Sequence, residues 1–243
     1  MKAVLMAAAL LTLGGCSTLE LAGARGLTQY AYAFVQQDAE EAEERDLAES
    51  RRLEERARRL YAQARDYGLR GLALGRPDFE HALHFEPRRA VAALPASEVP
   101  LLYWTAASWG ALIALSKDSP ERLAELPAVE ALIDRALELD ESFGRGAIHT
   151  FLISYEPVRQ GAPGDPAQRA RAHFRRAVEL SGGSAAAPLV ALAEAVCVPQ
   201  QARTEFEELL QQALRMEPAD MANRVAHRRA RWLLSRTERL FTN

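Results

Sequence analysis

The side chains best suited to metal binding, nucleophilic attack or proton transfer in this chain are five histidines and two cysteines. His81 and His84 stand three apart and can share a helix face, which suits a metal pair. No third ligand follows at zinc-site spacing, so they are expected on the surface or in packing, and no metal is assigned. His149 and His173 fall on inward-facing stripes, where an imidazole is most often a hydrogen-bonded core group, though each is placed to line a pocket. His227 lies among Arg224, Arg228, Arg229 and Arg231, which read as the solvated side of the last helix. Cys197, in the apolar string Val196-Cys197-Val198, reads as a small core residue rather than a nucleophile. Carboxylates occur at Asp140-Glu141 and in Tyr155-Glu156-Pro157, but nothing pairs them across a cleft. A phosphate-cradling glycine loop, a Gly-x-Ser-x-Gly elbow, His-Glu-x-x-His and paired cysteines are all missing. No catalytic residue and no cofactor are assigned, and an enzymatic role is not expected.

The strongest local feature is aromatic. Residues 101–110 read Leu-Leu-Tyr-Trp-Thr-Ala-Ala-Ser-Trp-Gly and hold two of the three tryptophans. On a helix Tyr103, Trp104 and Trp109 cannot all face one way, so at least one looks away from the nearest partner helix. Packing is the ordinary reading. The alternative is that an aromatic lines a cavity or interface, where tryptophan and tyrosine are enriched.

Cys16 has a different chemistry. Lys2 gives a positive start, residues 3–13 form an uncharged apolar run, and Leu13-Gly14-Gly15-Cys16 closes it. A signal-peptide core has this length, whereas a membrane-spanning helix needs roughly 20 apolar residues. Leu13-Gly14-Gly15-Cys16 resembles the lipobox of bacterial lipoproteins, which implies cleavage after residue 15 and a diacylglyceryl group on Cys16. Several acyl chains anchor stably where one does not. Ser17 follows rather than aspartate, which by resemblance to the enteric sorting rule favours the outer membrane. With Cys16 lipidated only Cys197 remains, so no intramolecular disulfide can form. The net charge of −3 and the even mixing of signs suggest neither a nucleic-acid surface nor an anionic-membrane surface.

The elements positioning these residues are helices. Alanine, leucine, glutamate and arginine dominate and β-branched runs are scarce. Leu53, Ala57, Leu60, Ala64 and Tyr67 form an apolar stripe at helical spacing, opposite Glu41/Arg45, Glu54/Arg58 and Glu55/Arg59 pairs at i, i+4. The chain also repeats. Aligned on Ala136, Ala177 and Ala213, with a weaker copy at Gly71, a large side chain recurs four or three residues earlier, as at Leu132/Ile133, His173/Phe174 and Leu209/Leu210. A breaker then follows: Asp140, Ser181-Gly182-Gly183 and Pro218. The intervals of 41 and 36 residues lie near the tetratricopeptide period of about 34. Residues 101–115, 146–155, 188–198 and 222–241 read as the intervening helices. Loops are marked by Gly75-Arg76-Pro77, Leu94-Pro95, Glu156-Pro157 and residues 161–166, the last entering a helix with Pro166 in its first turn. The expected fold is all-α, a tetratricopeptide-like α-solenoid of stacked antiparallel helix pairs. Residues 1–15 form a signal peptide, 16–37 a lipidated tether running into the first helix, and 38–243 one helical-repeat domain.

Several ordered blocks resemble the T-component lipoproteins of TRAP transporters, the tripartite ATP-independent periplasmic systems. They are Tyr103-Trp104 with Trp109; Leu126-Pro127-x-Val129; Arg135 through Asp140; Gly146-Ala147-x-His149; Ala172-His173-Phe174-x-x-Ala177 ending in Ser181-Gly182-Gly183; Phe206-x-x-Leu209-Leu210; and Ala222-Asn223 with Ala226, Ala230, Leu233-Leu234 and Phe241. Two departures fall in loops or helix ends: Gly161-Ala162-Pro163-Gly164 replaces an expected glycine pair, and Pro199 interrupts a more continuous segment. The resemblance implies a non-enzymatic accessory component that trimerises, has a pore or cleft through each protomer, pairs with a periplasmic solute-binding protein and helps deliver apolar ligands. Tyr103, Trp104, Trp109, His149 and Asn223 are the expected inner wall. The competing reading is an envelope scaffold whose repeats hold other proteins without a small ligand.

Overall fold

The computed structural model describes residues 17–242, which are helices joined by turns, with no strand among the described residues. The signal-like segment 1–15 and the expected lipid site Cys16 lie outside the described residues. Two compact units form, the first ending at Asp140 and the second beginning at Glu141. They meet in sequence at a short turn between helices.

The first unit holds α1 (residues 17–42), α2 (Leu47–Ala73), α3 (Phe79–Phe85), α4 (Pro87–Ala92), α5 (Val99–Ala114), α6 (Pro120–Leu123) and α7 (Leu126–Leu139). α2 packs against α1 and α5, and α5 packs also against α7. The second unit holds α8 (Phe143–Tyr155), α9 (Pro166–Leu180), α10 (Ala187–Leu192), α11 (Arg203–Arg215), α12 (Met221–Ser235) and α13 (Thr237–Leu240). α8 pairs with α9, α10 with α11, and α11 with α12. The all-α architecture of packed helix pairs is therefore present. No helix among the described residues is long and apolar enough to cross a membrane.

Local chemistry explains the boundaries. Asp46, Ser119, Asp165 and Asp220 accept backbone N–H groups at the starts of α2, α6, α9 and α12. Pro87, Pro100, Pro120, Pro127, Pro166 and Pro188 stand in first turns, where a missing N–H leaves no intrahelical bond unmade. The repeat residues Ala136, Ala177 and Ala213 are wholly buried, as small residues at helix crossings should be. On α2 the buried stripe runs through Leu53, Ala57, Tyr61, Ala64, Gly68 and Gly71, with Leu60 and Tyr67 on its flank.

Three expectations change. Residues 17–37, read as a tether, are helical from Ser17, and Ala24, Ala31 and Val35 bury one face of that helix. Glu156-Pro157 is a turn of 3₁₀-helix (Glu156–Val158) rather than an open loop, because Glu156 is drawn inward by two arginines. Residues 222–241 are broken at Arg236, and Arg229 is not solvated. Its guanidinium pairs with Glu194 and lies 4.3 Å from the Trp232 ring centroid.

The α2/α5 crossing depends on Gly68. A Cβ there would overlap the Thr105 hydroxyl and lie 2.9 Å from Thr105 Cβ and 3.2 Å from its Cα. In an open helix Gly→Ala gains up to about 1 kcal/mol, while overpacking a fitted core costs about 1–3 kcal/mol. Gly68→Ala is therefore expected to lower the unfolding midpoint in urea, although it raises helix propensity.

Candidate functional site

Within the first unit α5 carries the aromatic cluster. Tyr103 and Trp104 are half-buried and meet edge to face, with ring centroids 4.9 Å apart. Desolvation pushes the Tyr103 phenol up to about 12. Trp109 points elsewhere. It is buried, its Nε1–H donates to Glu125 at 2.6 Å, and the Arg65 guanidinium sits 5.5 Å from its ring centroid. Arg122 also donates to Glu125 at 3.1 Å. Trp109 is thus fixed by a charge-assisted bond at the α5–α7 side, while Tyr103 and Trp104 are half-buried.

Near the other end of α2, two glutamines close an unusual turn. Residues Ala31–Gln36 of α1 wind as π-helix, which inserts a residue and rotates the next turn of the helix. Tyr61, fully buried, donates its phenol proton to Gln36 Oε1 at 2.7 Å, and Gln36 Nε2 donates to Glu40 at 2.9 Å. Burial pushes the Tyr61 phenol strongly up. Gln37 is 1% exposed, and neither amide atom has a partner. Sequence reasoning did not single out this polar group, because a π turn has no residue signature.

The second unit brings the two central histidines together. His149 Nδ1 and His173 Nδ1 are 2.8 Å apart, and His149 Nε2 lies 3.3 Å from Glu141 Oε2. Arg176 grips both oxygens of Glu141. That guanidinium, with help from His149, holds the Glu141 carboxyl below the usual range. An ionised Glu141 requires His149 Nε2 to be the donor. Neutral His149 then accepts from His173 Nδ1–H, which satisfies both close contacts. Burial lowers the His149 pKa, outweighing Glu141. Two bases in series on a carboxylate could relay a proton, but His149 is only 5% exposed and has both ring nitrogens engaged.

The backbone before His149 is unusual. Gly144, Arg145 and Gly146 all have positive φ (58°, 58° and 86°), a left-handed turn that glycine tolerates and arginine does not favour. A Cβ on Gly146 would stand 3.1 Å from Ala177 Cα, so the same residue also admits α9. Arg145 is tied to Asp220 at 2.9 Å. Asn223 fixes the facing loop. Its Oδ1 accepts from Ala186 N–H and its Nδ2 donates to the Ser184 carbonyl, each at 2.9 Å.

Other candidates resolve as structural. Cys197 is fully buried, and desolvation pushes its thiol up to about 12. His81 and His84 are exposed, their rings each 4.7 Å from Phe85. Among the described residues no group of three His, Cys, Asp or Glu side chains is placed to hold a metal ion. Glu156, 2% exposed, is bound by Arg159 and Arg169.

Of the five expected inner-wall residues, Tyr103, Trp104 and Trp109 belong to the first unit and His149 and Asn223 to the second. Trp109, His149 and Asn223 all have their polar atoms engaged within the chain. Glu141, Arg176 and Arg145, which organise the second unit's site, were not singled out as site residues, because their partners are 35 and 75 residues distant.

A sequence profile described as TRAP transporter T-component matches residues 4–241. An uncharacterized protein of Treponema pallidum (strain Nichols) is 25% identical over 236 residues, covering 92% of this chain and 72% of that protein.

A histidine whose folded pKa is depressed adds stability above its unfolded pKa, near 6.5, and that stability is lost as pH falls through the folded value. The native chain should therefore lose more thermal stability between pH 7 and pH 5 than His149→Gln does. Scanning calorimetry at the two pH values checks this, and equal losses would remove His149 as the cause.

Proposed function

Because the chain belongs to the TRAP transporter T-component family, we propose that it is a non-enzymatic, lipid-anchored accessory component of a TRAP-type solute transport system. Cys16 carries the lipid and holds the domain at the periplasmic side of a bacterial membrane, the outer one by the residue at position 17. The working form is a homo-oligomer, a trimer by family resemblance, that docks a periplasmic solute-binding protein and shelters an apolar ligand in a pore within each protomer. The family match over nearly the whole chain is the observation that supports this reading.

Physical arguments bear on which residues take part. Tyr103 and Trp104 are half-buried, adjacent and edge to face, the state in which aromatic side chains serve a partner or an apolar ligand. They are the residues proposed to contact it. Trp109 is held within the first unit by its bond to Glu125, and His149 and Asn223 are held within the second by bonds to His173 and the Ser184–Ala186 loop. Tethering both proteins to one compartment raises the effective concentration of a weakly held partner.

A second reading, an envelope scaffold that binds proteins without a small ligand, is favoured by the internal engagement of those same three residues. Titration of the full chain with a periplasmic solute-binding protein of a TRAP system separates the two. The transport reading predicts saturable binding that Trp104→Ala weakens by about tenfold or more, the loss of an aromatic anchor worth about 2 kcal/mol. No binding by the native chain would favour the scaffold.

A further inference from the structure

We propose that the outward face of α1 lies on the lipid surface to which Cys16 is attached, so that the protein sits in one fixed orientation. This rests on the lipid-anchor reading above and extends it from attachment to posture.

A lipoprotein is ordinarily free to swing if a polar tether separates its lipid from the fold. Here Ser17, the residue after the expected lipid site, is already helical, and the helix continues to Ala42. Leu19, three residues along the sequence from Cys16, is 66% exposed, so a large apolar side chain is open close in sequence to the expected lipid site.

The same face continues. Leu19, Ala22, Gly26 and Tyr30 follow helical spacing and are all exposed. The π turn then keeps Phe34, 48% exposed, beside Tyr30, with ring centroids 5.7 Å apart. The stripe from Leu19 to Phe34 is about 22 Å long. An apolar row ending in aromatic rings is the pattern of a helix lying in the interfacial plane, with tyrosine at headgroup level.

Charge agrees. The chain as a whole is 26% charged, yet between residues 17 and 37 only Glu20 and Arg25 carry charge. Glu20 is turned inward to Arg70, with contacts of 3.2 Å, so this stretch offers no exposed carboxylate to a headgroup. Arg25 is exposed, and Arg56 donates to the Tyr30 hydroxyl at 2.9 Å, which sets two cations beside the row. The buried side of the helix, including Ala24, Thr28, Ala31 and Val35, is already committed to the fold.

The test uses the full chain with Cys16 intact, in vesicles of phosphatidylethanolamine and phosphatidylglycerol. A nitrobenzoxadiazole label is placed on Leu19→Cys, Tyr30→Cys or Phe34→Cys, with Phe85→Cys as an exposed apolar control away from α1. Cys197 is fully buried and does not compete for label. Labels at 19, 30 and 34 should shift to the blue and be quenched by brominated lipid, while the label at 85 stays in water. The double variant Tyr30→Glu, Phe34→Glu should still float with vesicles yet lose the blue shift at 19. Flotation without quenching at 30 and 34 overturns the proposal and leaves the anchor intact. Label–label self-quenching without bromolipid quenching shows that a second copy covers the face, which also overturns it. Failure to float, with an unmodified Cys16 by mass, removes the anchor reading and this posture together.

Discussion

How closely two helical backbones can approach decides what this chain can build. At the α2/α5 and α8/α9 crossings a glycine admits the neighbouring helix, Gly68 against the Thr105 side chain and Gly146 against the Ala177 backbone. Both crossings position candidate residues. α5 carries Tyr103, Trp104 and Trp109, and the closeness of α8 to α9 is what lets His149 and His173 share a hydrogen bond. A methyl group at either crossing would move the aromatic cluster or the imidazole pair before touching either directly.

Polar side chains then lock the pairs. Trp109 to Glu125, Arg176 to Glu141, Arg169 to Glu156, and Asn223 across the Ser184–Ala186 loop are bonds between different elements. Glu156 is the buried carboxylate among them, 2% exposed between its arginines, and breaking a buried ion pair by removing one partner typically costs about 3–5 kcal/mol. Tyr103 and Trp104 on α5 are half-buried, and the outer face of α1 exposes Leu19, Tyr30 and Phe34.

Helix positions are legible in the sequence because a 3.6-residue apolar period, small residues at crossings and proline or aspartate at first turns are all local signals. Ala136, Ala177 and Ala213 can be aligned for that reason, and they are buried. The helix running on from Ser17 is less legible, since a stretch that follows a lipid site reads as a tether and its packing against α2 shows otherwise. The left-handed turn at Gly144–Gly146 and the π turn at Ala31–Gln36 are backbone states that composition does not announce. The histidine pair is half legible: both residues sit on inward stripes, but the register that joins them depends on how α8 and α9 cross. The site is less legible than the fold because it is assembled from contacts between segments far apart in sequence.

Native mass spectrometry of the full chain, released gently from the membrane, measures the central claim most directly, since it reports assembly and cargo together. An accessory component that shelters apolar ligands should appear as a trimer retaining small hydrophobic molecules. A bare monomer under the same conditions would contradict that account and leave Tyr103 and Trp104 as packing alone.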